Sequence, residues 1–361
     1  MGDNLKKYDS HVTIEIDQNV AMDVEQLLNG GFRPLRTFMN FENLDSVLKH
    51  LRLSTGEVWS IPILFPLPTE NKVTVGTTLL LKFNDQNFAL LTISNIFTYD
   101  KKTLIKYFYG TLSNNHPGVV RTKNSSNTFI TGRLRRLQKL TKIMGIKALE
   151  PSETKKIIKN NKWHKVVGFH TRNPPHRAHE FLQKCTLENS DGILIHPVIG
   201  SKKKGDFNNN AIMESYKVYV KNYLPKNKVI LTPLLTYSRY AGPREAIFTA
   251  IIRRNYGCTF FIVGRDHTGV KNFYGKYDSH KIFANFKDLG IKLLFFDEPY
   301  YCRKCNQITT SKTCPHKQRY HVEISATIIR KSILEKSQLS EIYMRKEVLN
   351  KLQNMKDIFV K

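Results

Sequence analysis

Two histidines, spaced three residues apart, follow a polar turn near the middle of the chain. His176 and His179 stand at positions i and i+3, so on a helix both rings lie on the same face. Arg172, shortly before them, carries a planar guanidinium that suits a tetrahedral oxyanion. A helix N-terminus would add unpaired N–H groups and the positive end of the helix dipole. These residue types in this order predict a site for a phosphate and a second anion.

The flanking residues predict the elements that position this turn. Residues 166–169 form a short apolar run, typical of a buried parallel strand. Helical spacing of apolar residues begins at about Pro175, so Pro174 or Pro175 is expected in the first helical turn. A lone pair of histidines at this spacing more often lies solvated on a capped helix. The Arg-Asn-Pro sequence at a strand end favours a functional site here.

Length and composition bound the class of protein. The chain has 361 residues, 40% of them apolar, which predicts a globular protein of two or three domains. No apolar run is long enough for a membrane span, and residues 1–18 lack the apolar core of a signal peptide, so a cytoplasmic protein is expected. The cysteines are odd in number and three are clustered, which favours a reducing compartment over a disulfide framework: Cys185, Cys258, Cys302, Cys305 and Cys314.

The formal net charge of +27 is extreme for this length. A field of this sign attracts polyanions, either nucleic acid or anionic substrates. The lysines are spread along the chain among many asparagines, however, with only short clusters such as residues 202–204. A lysine and asparagine bias set by genome base composition explains the charge as well. Nucleic acid is therefore a possible partner but not the favoured one.

Strands and helices alternate after residue 166, which predicts an α/β domain with a parallel sheet. Ligands of such sheets bind at the carboxyl ends of the strands. Three polar loops follow predicted strand ends and are expected to converge: residues 170–175, 237–245 and 264–269. Arg239 and Arg244 in the second loop supply charge for a polyphosphate. In the third, Arg265 and His267 are donors for phosphate or sulfate, and Asp266 orients one of them.

A cluster of metal-ligand residues lies near the C-terminus, with the spacing C-x2-C-x8-C-x-H. Three thiolates and one imidazole suit tetrahedral Zn²⁺, and a site with four protein ligands is structural. The predicted ligands are Cys302, Cys305, Cys314 and His316, with His321 as the alternative fourth ligand. The competing interpretation is free thiols in a basic loop.

The first 150 residues predict a separate β-rich domain. Its predicted β-type runs are residues 11–16, 58–65 (broken by Pro62), 77–83, 88–96 and 104–109. A linker and a short helix capped by Ser152 follow. The expected domain division is 1–150 for the β-rich domain, 151–300 for the α/β domain and 301–361 for the zinc-containing and helical region.

Three segments together carry a resemblance to a known family: T-R-N-P-P-H-R-A-H-E at 171–180, R-Y-A-G-P-R-E-A at 239–246 and G-R-D-H-T-G at 264–269. They resemble the sulfate adenylyltransferase (ATP sulfurylase) family, and the likeness covers about residues 20–353. The resemblance implies a Rossmann-like nucleotidyltransferase domain behind an N-terminal PUA-like β domain. It also implies a monofunctional enzyme without a fused adenylylsulfate kinase, and a homo-oligomer.

The resemblance implies a reaction of ATP with sulfate that gives adenylylsulfate and diphosphate, with Mg²⁺ arriving on ATP. Its direction, toward sulfate assimilation or ATP production, stays open. The catalytic residues implied are Thr171, Arg172, Asn173, His176 and His179. Those implied for sulfate are His170, Arg172 and Thr268. Those implied for ATP are Asn173, His176, His179, Arg239, Gly264, Arg265, Asp266 and His267.

Three residues depart from the family pattern. His170 stands where the family has Gln, Thr268 where it has Ala, and Thr249 where it often has His. A protonated His170 adds positive charge beside the predicted sulfate site. Two alternatives therefore stay open: an adenylyltransferase of the same fold with a different oxyanion pocket, and a basic RNA-binding protein of the PUA type.

Overall fold

The structure is a computed structural model of the chain and describes residues 11–68, 73–264, 270, 273–335, 337 and 339–361. It divides into two compact units. Unit 1 comprises Met1–Pro151, Leu235–Asn255 and Asp266–Leu289, and unit 2 comprises Ser152–Leu234, Tyr256–Arg265 and Gly290–Lys361. The three-domain division stays a prediction. Among the described residues, no helix has both the length and the apolar character needed to cross a bilayer.

The strands and helices follow one another as mixed elements along the chain. The strands are β1 Val12–Glu15, β2 Phe65–Pro66, β3 Thr78–Phe83, β4 Gln86–Thr98, β5 Thr128–Arg136, β6 Val166–Thr171, β7 Gly192–Pro197, β8 Val229–Leu231, β9 Phe260–Val263, β10 Lys292–Phe295, β11 Tyr300–Cys302, β12 Gln307–Thr309 and β13 His321–Glu323. The helices are α1 Gln18–Asn29, α2 Phe41–His50, α3 Lys101–Tyr109, α4 Pro117–Lys123, α5 Leu140–Ile143, α6 Pro151–Asn160, α7 Arg177–Leu187, α8 Asn209–Tyr223, α9 Pro243–Asn255, α10 Asp278–Lys281, α11 Ala326–Leu334 and α12 Lys346–Gln353.

Unit 1 is built on a five-stranded sheet in the order β1-β3-β4-β5-β2, antiparallel except for the parallel pair β1–β3. The β4–β5 register shifts between Ile93 and Asn95. Gly132 lies at this irregularity, and a Cβ atom there would stand 1.9 Å from the carbonyl oxygen of Thr92. Only glycine allows the two backbones to approach so closely. The β-rich N-terminal region expected from the sequence is therefore present.

Two of the predicted strands in unit 1 are wrong. Residues 104–109 lie in helix α3, because Asp100 caps its N-terminus by accepting the N–H of Thr103 at 2.7 Å. The buried residues of α3, Leu104 and Phe108 among them, recur at helical spacing. Of the predicted strand over 58–65, only Phe65 enters a strand, β2. Proline at position 62 cannot donate to a ladder, which limits strand formation there.

Unit 2 is built on a parallel five-stranded sheet in the order β10-β9-β6-β7-β8. All six residues of β7 are buried, as expected for a strand in the middle of a parallel sheet. The chain runs outward from β6 to β7 and β8 on one side, and returns to β9 and β10 on the other. The order therefore reverses between β6 and β9, and ligands of such sheets bind at the carboxyl ends of the strands beside that point. The predicted Rossmann-like α/β fold is confirmed.

The other elements of unit 2 surround the parallel sheet or follow it along the chain. Helices α8 and α12 pack together over a core that includes Tyr216 and Leu352. Helix α6 begins at Pro151, so Ser152 lies inside its first turn and the predicted cap is wrong. A small sheet in the order β12-β11-β13 follows β10. The tail predicted as helical over 332–361 contains α12 and the end of α11, with turns between them.

Candidate active site

The predicted catalytic turn lies at the carboxyl end of β6. The strand continues to Thr171, so His170 and Thr171 are strand residues, and the turn proper begins at Arg172. The Thr171 hydroxyl donates to the carbonyl of Asn173 at 3.0 Å and accepts the N–H of Asn173 at 3.2 Å. The Thr171 carbonyl accepts the N–H of Val198 at 2.8 Å. The turn is therefore fixed both by its own side chain and by the neighbouring strand.

His176 is the N-cap of helix α7. Its Nδ1 atom accepts the backbone N–H of His179 at 3.3 Å. Because Nδ1 is the acceptor, a neutral His176 ring carries its proton on Nε2. Helix α7 starts at Arg177, so Pro174 and Pro175 precede the cap, and their predicted place in the first helical turn is wrong.

The two histidine rings stack, with centroids 3.7 Å apart and an interplanar angle of 23°. Burial lowers the pKa of His176 to about 4. Burial, together with the neighbouring His176 ring, lowers the pKa of His179 well below its usual value, although a hydrogen bond to the backbone of Pro174 acts in the opposite direction. Both rings are therefore neutral at pH 7. They offer N–H donors to an anion without carrying positive charge themselves.

Tyr216 of α8 holds the second histidine in place. Its hydroxyl lies 3.3 Å from Nδ1 of His179, and its side chain is fully buried. Burial raises the pKa of the Tyr216 phenol far above its usual range, so the hydroxyl keeps its proton. The ring of Phe169 meets the His179 ring edge-on, with centroids 5.1 Å apart. The orientation of His179 is thus determined by a strand residue and a helix residue.

A buried carboxylate anchors helix α7 one residue after the second histidine. Glu180 accepts two hydrogen bonds from Arg345, at 2.7 and 3.0 Å, and others from Arg177 at 3.1 Å and Lys184 at 2.7 Å. Burial alone raises a carboxyl pKa, but Arg345 and Lys184 hold the pKa of Glu180 below its usual value. The backbone N–H of Arg177 also donates to the carbonyl of Tyr343 at 2.9 Å. We call these contacts the Glu180 clamp.

Lys202 is a candidate that the sequence prediction missed. Its Nζ atom donates to the carbonyl of Val198 at 3.1 Å, and the N–H of Val198 donates to Thr171. Lys202 therefore lies beside the predicted catalytic turn, in the loop after β7. Burial and the charge of Arg172 lower the pKa of Lys202 to about 8, although Asp206 opposes this. The sequence feature that could have indicated Lys202 is its position, in a polar loop after the strand that neighbours β6.

The other predicted ligand-binding residues are placed as follows. Gly264 directly follows β9, beside the reversal of the strand order, and a Cβ atom there would meet no atom within 4 Å. Arg265, Asp266, His267 and Thr268 lie outside the described residues. His170 pairs in register with His196 of β7 and is partly buried.

Two arginines and a threonine of the second loop region lie in unit 1. Arg239 is buried and forms an ion pair with Asp23. Arg244 donates to the carbonyls of Val47 and Leu48, and burial lowers its pKa to about 10. The hydroxyl of Thr249 donates to the carbonyl of Ala246 within α9. The roles of Arg239 and Arg244 toward ATP, and the convergence of the loops, stay predictions.

The four predicted metal ligands lie together in unit 2. Their donor atoms are all within 4.8 Å of one another. Nδ1 of His316 lies 3.1, 3.5 and 3.7 Å from the sulfurs of Cys305, Cys302 and Cys314, and the Cys305 and Cys314 sulfurs are 3.7 Å apart. His321 instead bonds the backbone carbonyl of His316 through Nε2, at 2.9 Å. The arrangement therefore favours His316 as the fourth donor.

The fold and the site together define the class of this protein. A parallel sheet whose order reverses beside β6, followed by a turn and a neutral histidine pair at a helix start, is an arrangement suited to holding phosphate groups at the carboxyl ends of the strands. The chain is a nucleotidyltransferase.

Comparisons with known proteins agree with this class. A family model described as ATP-sulfurylase matches residues 147–355, and one described as a PUA-like domain matches residues 2–139. The chain is 38% identical over 356 residues to the sulfate adenylyltransferase of Thermococcus onnurineus, covering 99% of this chain and 94% of that one. It is 39% identical over 358 residues to the sulfate adenylyltransferase of Staphylothermus marinus, with the same coverage. The chain belongs to the ATP-sulfurylase family, as the sequence motifs predicted.

A solved structure is similar in fold. It is described as a hexameric APS kinase from Thiobacillus denitrificans, and it matches with a TM-score of 0.75 at 19% identity. The match covers 98% of this chain, which spans 64% of the length of that one. At this identity the likeness concerns the fold alone.

Proposed function

We propose that this protein joins ATP and sulfate to form adenylylsulfate and diphosphate. The observation that carries the proposal is the stacked, neutral pair His176 and His179 at the carboxyl end of β6. Sulfate adenylyltransferases at 38–39% identity over nearly the whole chain support the choice of substrates. Mg²⁺ enters with ATP and is held mainly by the phosphates and water.

The reaction needs alignment and charge stabilisation, and no proton transfer. One sulfate oxygen attacks the α-phosphorus, a new O–P bond forms, and the bond to the bridging oxygen breaks, so that diphosphate leaves with the electron pair. Sulfate is already an anion, hence no general base is required. This suits a site whose histidines are neutral. The rate then depends on position and on donors aimed at the growing charge.

The residues divide this work. Arg172 binds sulfate through its guanidinium. The Thr171–Asn173 turn sets the distance between the bound sulfate and the α-phosphorus. Nε2–H of His176 donates to the α- or β-phosphate, where negative charge grows as diphosphate departs. His179, oriented by Tyr216, donates beside it. Lys202 adds a second cation near Arg172 for the incoming anion.

The test is sulfate-dependent release of diphosphate from MgATP, with ATP synthesis from adenylylsulfate and diphosphate as the reverse assay. We expect turnover in both directions, and none in either direction refutes the proposal. A panel of sulfate, selenate and molybdate addresses the alternative of a changed oxyanion pocket at His170 and Thr268. Faster turnover with another oxyanion than with sulfate selects that alternative.

We further propose that the cysteine and histidine cluster holds a structural zinc ion. With bonds of about 2.3 Å to sulfur and about 2.0 Å to nitrogen, tetrahedral geometry separates the ligand atoms by about 3.5–3.8 Å. The distances from Cys302 and Cys314 to His316, and between Cys305 and Cys314, match this spacing. Four protein ligands leave no position for water, so the ion stabilises the β11–β13 region. About one zinc per chain is expected by elemental analysis, and its loss in Cys302→Ser. A folded, metal-free protein contradicts the proposal.

Two wider properties complete the proposal. The protein assembles as a homo-oligomer, a choice supported by the description of the similar structure as hexameric. We also propose that it acts in the cytoplasm, where the clustered thiols of Cys302, Cys305 and Cys314 stay reduced. Light scattering of the purified protein tests the first property, and a monomer at micromolar concentration contradicts it.

A further inference from the structure

The edge of the unit 2 sheet where its strands begin is strongly basic. In a parallel sheet all strands begin at the same edge. Lys165 directly precedes β6, Lys228 directly precedes β8 and Lys292 begins β10. At a strand spacing of about 4.8 Å, β10 and β8 are about 19 Å apart across this edge. Helix α6 and the turn after it add four more lysines, and we call all seven the basic edge: Lys155, Lys156, Lys159, Lys162, Lys165, Lys228 and Lys292.

The charge of the basic edge is weakly compensated. Within the described ranges, none of its lysines forms an ion pair closer than 4 Å, unlike Lys184 or Lys217 of the same unit. The nearby carboxylate of Asp191 accepts the backbone N–H groups of His164 and Lys165, at 2.6 and 2.7 Å. The backbone hydrogen bonds from Lys165 and His164, and to a smaller extent the charge of Lys228, hold the pKa of Asp191 below its usual range, so Asp191 offsets Lys228 in part without an ion pair closer than 4 Å.

A pocket with an aromatic wall opens among these lysines. Its volume is about 560 Å³, and its lining contains no acidic residue: Lys155, Ile158, Lys159, Lys162, Trp163, His164 and Gly257. Trp163 is partly exposed and packs closely against Gly192, where a Cβ atom would stand 2.4 Å from its ring. The indole is therefore held in place from one side.

The pocket is fixed by backbone contacts within unit 2. Gly257 has a φ of 99°, and a Cβ atom there would lie 2.8 Å from Cδ1 of Ile158, so glycine permits the close approach of α6. The hydroxyl of Thr154 donates to the carbonyl of Tyr256 at 2.8 Å. The N–H of Trp163 donates to the carbonyl of Ile158 at 3.0 Å. The wall of the pocket is therefore already in place before a ligand binds.

We propose that the basic edge binds single-stranded nucleic acid, with one base stacked on Trp163 and the phosphates along the lysines. Sequence-independent binding of single strands combines these two elements, a positively charged track and an aromatic platform. An anionic membrane or an inorganic polyphosphate matches the charge but has no ring for the indole. The site lies at the edge of the sheet opposite to the strand ends that carry the catalytic turn, so it is separate from the proposed reaction.

The first test measures binding of a fluorescently labelled oligouridylate of twelve nucleotides by anisotropy, between 50 and 200 mM KCl. The test variant is the triple change Lys155→Gln, Lys159→Gln and Lys162→Gln. Its control, with the same loss of charge in unit 1, is Lys102→Gln, Lys106→Gln and Lys142→Gln. Because each phosphate contact on a single strand contributes about 0.7 to the salt slope, we expect the test variant to lower the slope by about 2 and the affinity at 50 mM KCl more than tenfold.

The second test uses Trp163 as a reporter, since Trp59 is fully buried. Bound oligouridylate is expected to quench the tryptophan emission, and Trp163→Phe is expected to remove most of this change. Trp163→Ala should weaken binding at least about fivefold, with circular dichroism showing that the variant is folded. Heparin should compete without quenching.

Three outcomes overturn the proposal. No binding at 50 mM KCl means that the lysines are simply solvated. A loss confined to the control variant places the interaction on unit 1. Binding without any change in Trp163 emission, matched by heparin at equal affinity, identifies adhesion of polyanions in general. Because none of these measurements uses ATP or sulfate, they are independent of the proposed reaction.

Discussion

We assign two tasks to two different atoms of His176, and substitutions separate them. Nδ1 caps helix α7 through the N–H of His179 at 3.3 Å, whereas Nε2 carries the proton proposed to meet the phosphates. Asparagine places an amide oxygen near the position of Nδ1 and is itself a strong N-cap, but it reaches no further. Alanine removes both functions. The pair His176→Asn and His176→Ala therefore tests the assignment of each nitrogen.

The magnitudes follow from these contacts. Loss of an N-cap costs about 1 kcal/mol, so His176→Ala should be less stable by about this amount and His176→Asn should be close to the parent. Loss of one donor to a growing charge costs about 100- to 1,000-fold in kcat, and both variants should show it. The assays are denaturant unfolding followed by circular dichroism, and diphosphate release at saturating MgATP and sulfate.

Two results would refute this reasoning. If His176→Asn retains parental turnover, the Nε2 proton has no part in the reaction. If His176→Asn is as unstable as His176→Ala, Nδ1 does not cap the helix in solution. His179→Asn is the matched control, because the His179 side chain caps no helix. Its replacement should lower turnover without the difference in stability that is expected between His176→Asn and His176→Ala.

Three further predictions rest on buried charge. The pKa of His176 is about 4 in the fold against 6.5 when unperturbed. Its contribution to the free energy of unfolding is therefore complete above pH 6.5 and is lost as the pH falls toward 4, by up to about 3 kcal/mol. His176→Asn should show a weaker pH dependence of unfolding in that range, and a pH dependence equal to that of the parent contradicts the lowered pKa. The KM for sulfate should rise above about pH 8 as Lys202 loses its proton, and Lys202→Arg should remove this rise; a profile shared by both proteins contradicts a role for Lys202. Asp23→Asn should cost about 3–5 kcal/mol by leaving Arg239 buried without its partner, and a parental unfolding midpoint would show that Arg239 is not held by this pair.

The parallel sheet and the histidine pair were predictable because their signals are local. Residues 166–169 and 192–197 are apolar runs bounded by turn residues, and the helix after the first of them follows from the spacing of its apolar residues. The sequence of α3 also contains the signals of a helix, since Asp100 stands at the cap position and Leu104 and Phe108 are four residues apart. Its aromatic and β-branched residues favoured a strand, but burial along one helical face decided the structure.

Other features depend on contacts that no local pattern reports. The proximity of Lys202 to the turn at Arg172 follows from the pairing of β6 with β7, and is visible only when both strands are in place. The buried pair of Asp23 and Arg239 joins residues 216 positions apart. The segment R-Y-A-G-P-R-E-A predicted that Arg239 is available to a phosphate. In the structure Arg239 already has a buried carboxylate as its partner, and the sequence alone does not show this.

The Glu180 clamp determines when during synthesis the active site can form. Arg345, which binds both oxygens of Glu180, lies 165 positions further along the chain, and Tyr343 receives the N–H at the start of α7. Closing a loop of this length is entropically costly and slow. A nascent chain that has left the ribosome only as far as β9 already contains both histidines, yet the helix that carries them is not anchored. Catalytic competence therefore requires that Arg345 has been synthesised, and proteolytic removal of the segment that carries Tyr343 and Arg345 should inactivate a protein whose proposed catalytic residues are all intact.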